Sequence, residues 1–375
     1  MNIGIDASVL CDKLTGIGWY LWRNLQAMHK LETGHAFHLY ASRPLVVDIT
    51  QERIQRHLTR PPVPIPGTFW RQLRIPSLAR QNRLTSFWGP NHLLPINLSK
   101  TIRAVLTVHD LVSVLYPASM GNYNAFIHKL YFRKSVARAD AIIAVSARTK
   151  RDLVAILGAP ESRITVIPEG VEPVFRPLSP DLVHSRLSQL GINGDYILSV
   201  GTLEPRKNYP LLFRALARLR KWPHLVVVGG LGWKYRDILT EQARAGLSDG
   251  VRLMGYVSTE DLVVLYNGAK LFVFPSLYEG FGLPLLEAMA CGTPVLASSS
   301  SSLPEVGGDA AAYFDSHSVE SLVAELDRLL DDPSQLALMR EKGLVRARQF
   351  SWERSAERTL RVCAGAGHEG SANGQ

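Results

Sequence analysis

The sequence predicts an α/β protein made of two doubly wound, parallel-sheet domains facing across a cleft. Three observations carry this expectation. Short apolar runs alternate with helix-period stretches over most of the chain, the pattern of strands and crossover helices that builds parallel sheets covered on both faces. The 375 residues exceed one ordinary open-sheet domain and suit two. A proline-rich stretch at 172–181, EPVFRPLSPD, interrupts the alternation near its middle, and the pattern restarts at GDYILSVG. With 46% apolar and 20% charged residues, two full cores can be buried and general disorder is excluded.

Taken in order, NIGIDASVL opens the chain as a strand. No basic region precedes its apolar residues, so it does not read as a signal peptide. FHLYAS, AVLTVHD, AIIAVS and ITVIP supply further strands before the proline-rich stretch, and YILSVG, LVVVGG, VRLMGYV, LFVFPS and PVLAS follow it. Helix-period stretches between them include YNAFIHKLYFRKSVARA, ARTKRDLVAILG, YPLLFRALARLRKW and TEDLVVLYNGA. The resulting division is an N-terminal domain over 1–178, a C-terminal domain over 179–350, and a helix over 351–363, capped by Ser351, that packs back toward the N-terminal domain. The tail at 364–375 is rich in Gly, Ala and Ser, lacks an apolar face and is expected to be disordered. Cys11, Cys291 and Cys363 are too few and too widely spaced for a disulfide framework or a zinc site. No apolar run reaches the roughly 18–20 residues that span a bilayer. A soluble, cytoplasmic protein is expected.

The net charge of +9 is uneven. Residues 1–178 hold 22 Lys and Arg against 11 Asp and Glu, whereas the remainder holds 20 against 22. Arg53, Arg56, Arg60, Arg71, Arg74, Arg80 and Arg83 form one dense stretch, and Lys129, Arg133, Lys134 and Arg138 another. Such a half is drawn to polyanions, either nucleic acid or an anionic membrane leaflet, or simply presents a well-solvated surface. Nucleic-acid binding would need a readout module, and no zinc finger, RNP-type aromatic motif or basic heptad is present.

The strongest chemical signal is LFVFPSLYEGFGLPLLEAMACGTPVLA, residues 271–297. A strand ends at Pro275, a loop carries Glu279, Gly280, Phe281 and Gly282 into Pro284, and a short helix stops at Gly292. A helix N-terminus at the carboxyl end of a strand, with glycines for close approach, is a ready phosphate site. Glu279 precedes that helix and Glu287 is expected on its first turn, so both can address one extended ligand. Carboxylates accept hydrogen bonds from vicinal hydroxyls such as those of a ribose or hexose. A phosphate site flanked by two of them suits a nucleotide-sugar. The run SSSSS at 298–302 is a small-residue loop to which the sequence attaches no chemistry. Ser146 reads as the cap of the helix that follows it rather than as a nucleophile.

EGFGLPLLE is the E-x7-E pattern of retaining glycosyltransferases, and the chain resembles glycosyltransferase family 4. That family has the GT-B fold, two Rossmann-like domains facing across a cleft. The resemblance runs from residue 1 to about residue 360, through VIPEGVEPVF, GTLEPRKN (201–208), LVVVGGLGWK (225–234) and GYVSTEDLVVLYNGA (255–269) in the family's order. It implies that Glu287 holds the nucleotide ribose and that Glu279 contacts hydroxyls of the transferred sugar. The backbone at Phe281, Gly282 and Leu283 would meet the sugar or diphosphate. Arg206 and Lys207 match the family's basic pair that neutralises the diphosphate, where negative charge grows as the nucleotide departs. His109, at the end of AVLTVHD, corresponds to a histidine near the donor sugar, and Asn91 in GPNHLLP is a further cleft candidate. TGIGWYLWRNL is not a dinucleotide fingerprint, since position 21 is Leu21. The family nevertheless has a glycine-rich loop here facing donor and acceptor, so Gly16 and Gly18 are candidates, with tight-turn glycines as the competing explanation.

No Asp-x-Asp occurs, so diphosphate charge falls to Arg206, Lys207 and helix dipoles, and turnover is expected to be metal-independent with no cofactor. The resemblance leans to mannosyl- and rhamnosyltransferases of lipopolysaccharide, O-antigen or other surface polysaccharide assembly. The expected donor is GDP-mannose or a related GDP-deoxyhexose, with UDP-hexose open. The expected acceptor is a polyprenyl-diphosphate-linked glycan at the cytoplasmic face of the inner membrane. Phe69 and Trp70 beside Arg71 and Arg74, and Tyr131 and Phe132 beside Arg133, would suit peripheral contact with that surface. A non-hydrolysing nucleotide-sugar epimerase or a phosphorylase shares the architecture and is the alternative enzyme class.

Overall fold

The computed structural model describes residues 1–31, 33–49, 53–59, 67–116, 122–220 and 224–365. Its strands are β1 (Asn2–Asp6), β2 (Ala36–Ala41), β3 (Ile54–Leu58), β4 (Ser86–Gly89), β5 (Arg103–Val108), β6 (Ala141–Ala144) and β7 (Ile164–Val166), then β8 (Tyr196–Val200), β9 (His224–Val228), β10 (Val251–Leu253), β11 (Leu271–Phe274), β12 (Val295–Ser298) and β13 (Ala311–Phe314). They form a seven-stranded sheet in the order β3-β2-β1-β4-β5-β6-β7 and a six-stranded sheet in the order β10-β9-β8-β11-β12-β13. The pairings are parallel. Strands such as β11 and β12 are buried throughout because helices cover both faces, which is why they read as unbroken apolar runs. The sequence runs did not include β3, β4 or β13. β3 is an edge strand that leaves Gln55 and Arg56 exposed, β4 is only SFWG, and β13 is built of AAYF.

Each sheet reverses its strand order once, between β1 and β4 and between β8 and β11. At such a point the connections depart in opposite directions, and the loops after the carboxyl ends part to leave room for a ligand. The loops after β8 and β11 carry Arg206, Lys207 and Glu279. The loops after β4 and β5 carry Asn91 and His109.

Contacts group the described residues into two units, one taking those up to Gly170 together with the helix Trp352–Ala364, the other Val171–Ser351. The division therefore falls after Gly170 rather than after residue 178. The proline-rich stretch is tied to the second unit, where Leu178 N–H donates to Asn267 Oδ1 at 2.8 Å and Asn267 Nδ2 donates to the Arg176 carbonyl at 3.0 Å. The helix Trp352–Ala364 lays Trp352, Ala356, Thr359, Leu360 and Cys363 against the first unit, a stripe at helical spacing. Trp352 meets Tyr20 edge-on at 6.0 Å, Arg103 donates to the Val362 carbonyl at 3.0 Å, and Arg358 to that of Val166 at 2.8 Å. Residues 366–375 of the expected disordered tail lie outside the described residues.

The basic half is less uniformly solvated than its composition suggests. Arg71 is buried in an ion pair with Asp6 at 2.5 Å, at the carboxyl end of β1. Trp70 and Phe132 are core residues and Tyr131 packs against the core, so Phe69 is the exposed member of that aromatic set. Arg53, Arg56, Arg74, Arg80, Arg83, Arg133 and Lys134 are exposed, while Arg60 lies outside the described residues. The three cysteines are free and buried. Among the described residues no helix is long and apolar enough to cross a membrane.

Candidate active site

The second unit builds its site from the loops at the β8/β11 switch point. After β11 the chain reaches Gly282, whose φ of 111° lies in a region that glycine enters without steric cost. The helix Leu283–Ala290 starts there. Pro284 is thus the second helical residue rather than the first, and Glu287 lies on the second turn, not the first. Pro284 has no N–H and Leu285 donates to the Gly282 carbonyl at 3.0 Å, so the amides of Gly282 and Leu283 are what this helix end offers an anion. Phe281 is buried and packs edge-on against Phe350 at 5.7 Å.

Beside that helix end sits a balanced ion cluster. Glu279 receives Lys207 Nζ on Oε1 at 2.6 Å and Arg206 Nη1 on Oε2 at 3.0 Å. Arg206 also donates from Nη2 to Glu204 at 2.6 Å and from Nη1 to the Tyr278 carbonyl at 2.7 Å. All four charged side chains are less than one-fifth exposed. Burial pushes the Glu279 carboxyl up, but the charges of Arg206 and Lys207 outweigh it and hold the group down to about 2. Lys207 Nζ also lies 5.1 Å from the centre of the Phe274 ring. Arg206 and Lys207 come from a short 3-10 turn, Pro205–Lys207, that follows β8, so the strand end aims both cations at the loop after β11. Two positive groups fixed this way can stabilise charge growing on a departing diphosphate.

The serine run that carried no chemistry in the sequence proves to buttress this loop. Glu279 N–H donates to Ser301 Oγ at 2.7 Å, and the Ser301 hydroxyl donates to the Glu279 carbonyl. Ser302 Oγ reaches the carbonyls of Glu279 at 2.9 Å and Phe281 at 2.8 Å. Ser298 Oγ donates to the Ser276 carbonyl at 2.5 Å. Small hydroxyls at the end of β12 thus satisfy backbone groups of the neighbouring loop that no sheet partner could reach.

Glu287 is held from a different direction. Tyr266, fully buried, donates its hydroxyl to Glu287 Oε2 at 2.9 Å, and its own carbonyl accepts from Thr293 Oγ1 at 2.6 Å. Burial raises the Glu287 carboxyl to about 7; Tyr266 lowers it and the nearby Glu172 adds to the rise. The sequence patterns missed Tyr266 because an aromatic on a helix-period apolar face reads as core, and it is core on every side but its hydroxyl.

In the first unit, Gly16 and Gly18 lie in the first turn of the helix Gly16–Lys30, not in a loop. A methyl on Gly18 would come within 3.2 Å of the Val9 carbonyl, while Gly16 has open space around it. Gly18 is therefore a packing glycine and Gly16 the one with room beside it. His109 follows β5 and is buried, with Nδ1 at 3.0 Å from Glu169 Oε1 and Nε2 at 2.8 Å from the Pro90 carbonyl. Both ring nitrogens are thereby engaged within the protein. Thr149 Oγ1 donates to the His109 carbonyl at 3.1 Å, and Ser146 Oγ caps the following helix by accepting from Thr149 N–H at 3.0 Å. Asn91 is partly buried next to Pro90. Glu169, inside VIPEGVEPVF, is the residue that sequence reasoning passed over. Its only signal was a carboxylate that, with Glu172, interrupts a stretch otherwise apolar or turn-forming.

Comparison with known proteins follows the same division of the chain. Residues 14–175 match the family model of Glycosyltransferase Family 4, and residues 188–346 that of Glycosyl transferases group 1. The chain is 36% identical over 282 residues to the O-antigen chain mannosyltransferase B of Escherichia coli, covering 73% of this chain and 72% of that protein. It is 32% identical over 265 residues to the serotype-specific mannosyltransferase WbdA of Escherichia coli, covering 68% of this chain but only 32% of WbdA. Among solved structures, sucrose-phosphate synthase from Thermosynechococcus elongatus matches with a TM-score of 0.77 at 20% identity, over 96% of this chain and 98% of that one. WaaG, a glycosyltransferase involved in lipopolysaccharide biosynthesis, matches at 0.73 and 17%, over 98% and 100%. The two parallel-sheet domains are those of the GT-B fold, and the chain belongs to the family 4 glycosyltransferases. The epimerase, phosphorylase and nucleic-acid readings are left behind with that membership.

Proposed function

We propose that the protein is a retaining hexosyltransferase that moves mannose, or a related deoxyhexose such as rhamnose, from a GDP-linked donor to a lipid-linked glycan in O-antigen or other surface polysaccharide synthesis. The observation that carries this reading is the convergence of Arg206 and Lys207 on Glu279 beside the Gly282 helix end, at a sheet switch point. The relationship to O-antigen mannosyltransferases supports the choice of sugar.

In this reading the amides of Gly282 and Leu283 and the cations of Arg206 and Lys207 receive the diphosphate, and Glu287 accepts the ribose hydroxyls. Each Glu279 oxygen has a lone pair beyond the one its cation uses, so the carboxylate can hold a sugar hydroxyl while keeping the basic pair in place. The acceptor hydroxyl approaches the face of the sugar that the diphosphate leaves, and a donor phosphate oxygen takes its proton. No protein base is required, and the charge is met without a metal. Phe69, Leu73 and Arg74, exposed on the helix Gly67–Gln81, would make the peripheral contact with anionic lipid.

Three measurements test this. A thermal-shift panel of GDP, UDP and ADP is expected to give the largest shift with GDP; a larger shift with UDP moves the donor to a UDP-hexose. Transfer from GDP-mannose is expected to persist in EDTA and to give the α-anomer; loss restored by magnesium, or a β-product, refutes the corresponding part. Salt-sensitive flotation with anionic vesicles tests the lipid contact separately.

A further inference from the structure

The buried pair of His109 and Glu169 is a hydrogen-bonded cluster of titratable groups to which the proposed mechanism gives no task. Its geometry fixes how many protons it holds. Both ring nitrogens face acceptors, Glu169 Oε1 at 3.0 Å and the Pro90 carbonyl at 2.8 Å. A neutral imidazole has one N–H and would turn a lone pair toward one of them; the imidazolium satisfies both. The surroundings favour the same form. Glu169 and Asp110 supply negative charge; the other neighbours are His92, 5.4 Å away ring to ring, and Tyr20, in a T-shaped contact at 4.6 Å. Burial opposes the charged ring, but the hydrogen bond and charge of Glu169, then the Pro90 carbonyl and Asp110, more than offset it and raise its pKa.

What the pair holds is a tight loop. The segment after β4 folds so closely that a methyl on Gly89 would lie 2.5 Å from the Leu93 carbonyl, and His92 has a φ of 68°. A backbone in that region persists only when its surroundings hold it. Between these residues stands Asn91, whose Oδ1 is buried and meets no donor among the described residues. An amide oxygen in that condition is suited to a ligand hydroxyl.

We infer that Glu169 is a positioning residue that keeps His109 doubly protonated, so that the ring pins the Pro90 carbonyl, and with it Asn91, to the carboxyl ends of β5 and β7. The inference deepens the proposed function, resting on Asn91 as a substrate-facing group. Without the carboxylate the ring holds one proton at neutral pH, its remaining lone pair confronts the Pro90 oxygen, and the loop is released.

The test is a pH series on the full-length chain with two readouts. Nitrogen-resolved imidazole spectra of the wild type are expected to show both His109 nitrogens protonated at pH 8. Glu169→Gln is expected to move loss of the second N–H, and the alkaline fall of kcat/KM for GDP release from GDP-mannose, down by about one pH unit or more, with activity recovering at the acid end. Glu169→Asp, which restores the charge, moves the limb back. A glutamate that merely braces the fold would lower activity equally at every pH. A wild-type ring with a single N–H at pH 8, or a Gln variant whose alkaline limb coincides with the wild type's, overturns the inference. The spectra need no donor. Failure to turn over GDP-mannose would therefore count against the proposed function alone, and if the Gln variant does not fold the wild-type spectra decide.

Discussion

At the switch point of the second sheet, Glu204, Arg206, Lys207 and Glu279 balance two cations with two carboxylates; at the ends of β5 and β7 in the first, His109, in the doubly protonated form inferred above, and Glu169 balance one with one. Both clusters are buried, and neutrality is what allows charge to stay there. They differ in what they leave over. Lys207 has three N–H groups and Glu279 two oxygens with four lone-pair sites, so the first cluster can take on an incoming phosphate and hydroxyl without losing its own contacts. The imidazolium has two N–H groups and spends both on Glu169 and Pro90. Under the proposed mechanism one cluster exchanges partners, and under the inference drawn from the second the other holds backbone, which is the distinction between a group that meets substrate and one that positions it.

The sharpest way to break this comparison is to remove the centre of the larger cluster. Glu279→Gln leaves two buried cations facing a single carboxylate and is expected to destabilise the protein by about 3–5 kcal/mol in denaturant unfolding. The pH dependence has a definite sign. Glu279 is held down to about 2, so its contribution is present above the unfolded carboxyl pKa of about 4.3 and is lost as pH falls through about 2. A variant as stable as the wild type at pH 7 would show that the cluster is not organised by this residue. Next in size, Lys207→Ala is expected to lower turnover by about a hundred- to a thousandfold, the scale of one lost transition-state charge contact, and Arg206→Ala by at least about a hundredfold. Near-normal turnover in either would end the assignment of the basic pair.

Two smaller effects refine the picture. Ser302→Ala removes the hydroxyl that reaches the Glu279 and Phe281 carbonyls and should cost about 1–3 kcal/mol. The same substitution at the half-buried Ser318 cap should cost about 1 kcal/mol, which serves as the control. Glu287 is raised to about 7, and in its proposed role the proton it binds must leave before the carboxylate can accept ribose hydroxyls. GDP affinity is therefore expected to be about tenfold weaker at pH 6 than at pH 8, following the ionised fraction. The Glu287→Gln variant corrects for titration of the nucleotide itself; equal pH slopes in the two proteins would refute the link.

Much of the fold was legible because parallel strands buried on both faces announce themselves as apolar runs, as LFVF and YILSV do. The strands that escaped notice are those lacking that pressure, such as β3 at an edge with Gln55 and Arg56 in solvent. At the site, Glu279 and Glu287 could be singled out because carboxylates around a glycine-bearing strand-to-helix turn are chemically conspicuous, and Arg206 and Lys207 because they match the basic pair of the family that the chain resembles. Their supports could not. Ser301 and Ser302 act through backbone carbonyls, Tyr266 through one hydroxyl on a core side chain, and Glu169 through a histidine 60 residues away. Each depends on which loops the sheet brings together, and local spacing does not encode that.

The helix Trp352–Ala364 bears on how the protein is made. Translation delivers the first sheet early, yet the face that this helix covers stays open until the ribosome has passed through the whole second unit, roughly 10–40 s at ~5–20 residues per second. The second unit, whose described residues all lie within 171–351, can close before the first, reversing the usual amino-to-carboxyl order of domain folding. Nascent chains stalled within the second unit should hence expose Tyr20 and its neighbours to chaperones, and supplying Trp352–Ala364 as a separate peptide should quiet that exposure.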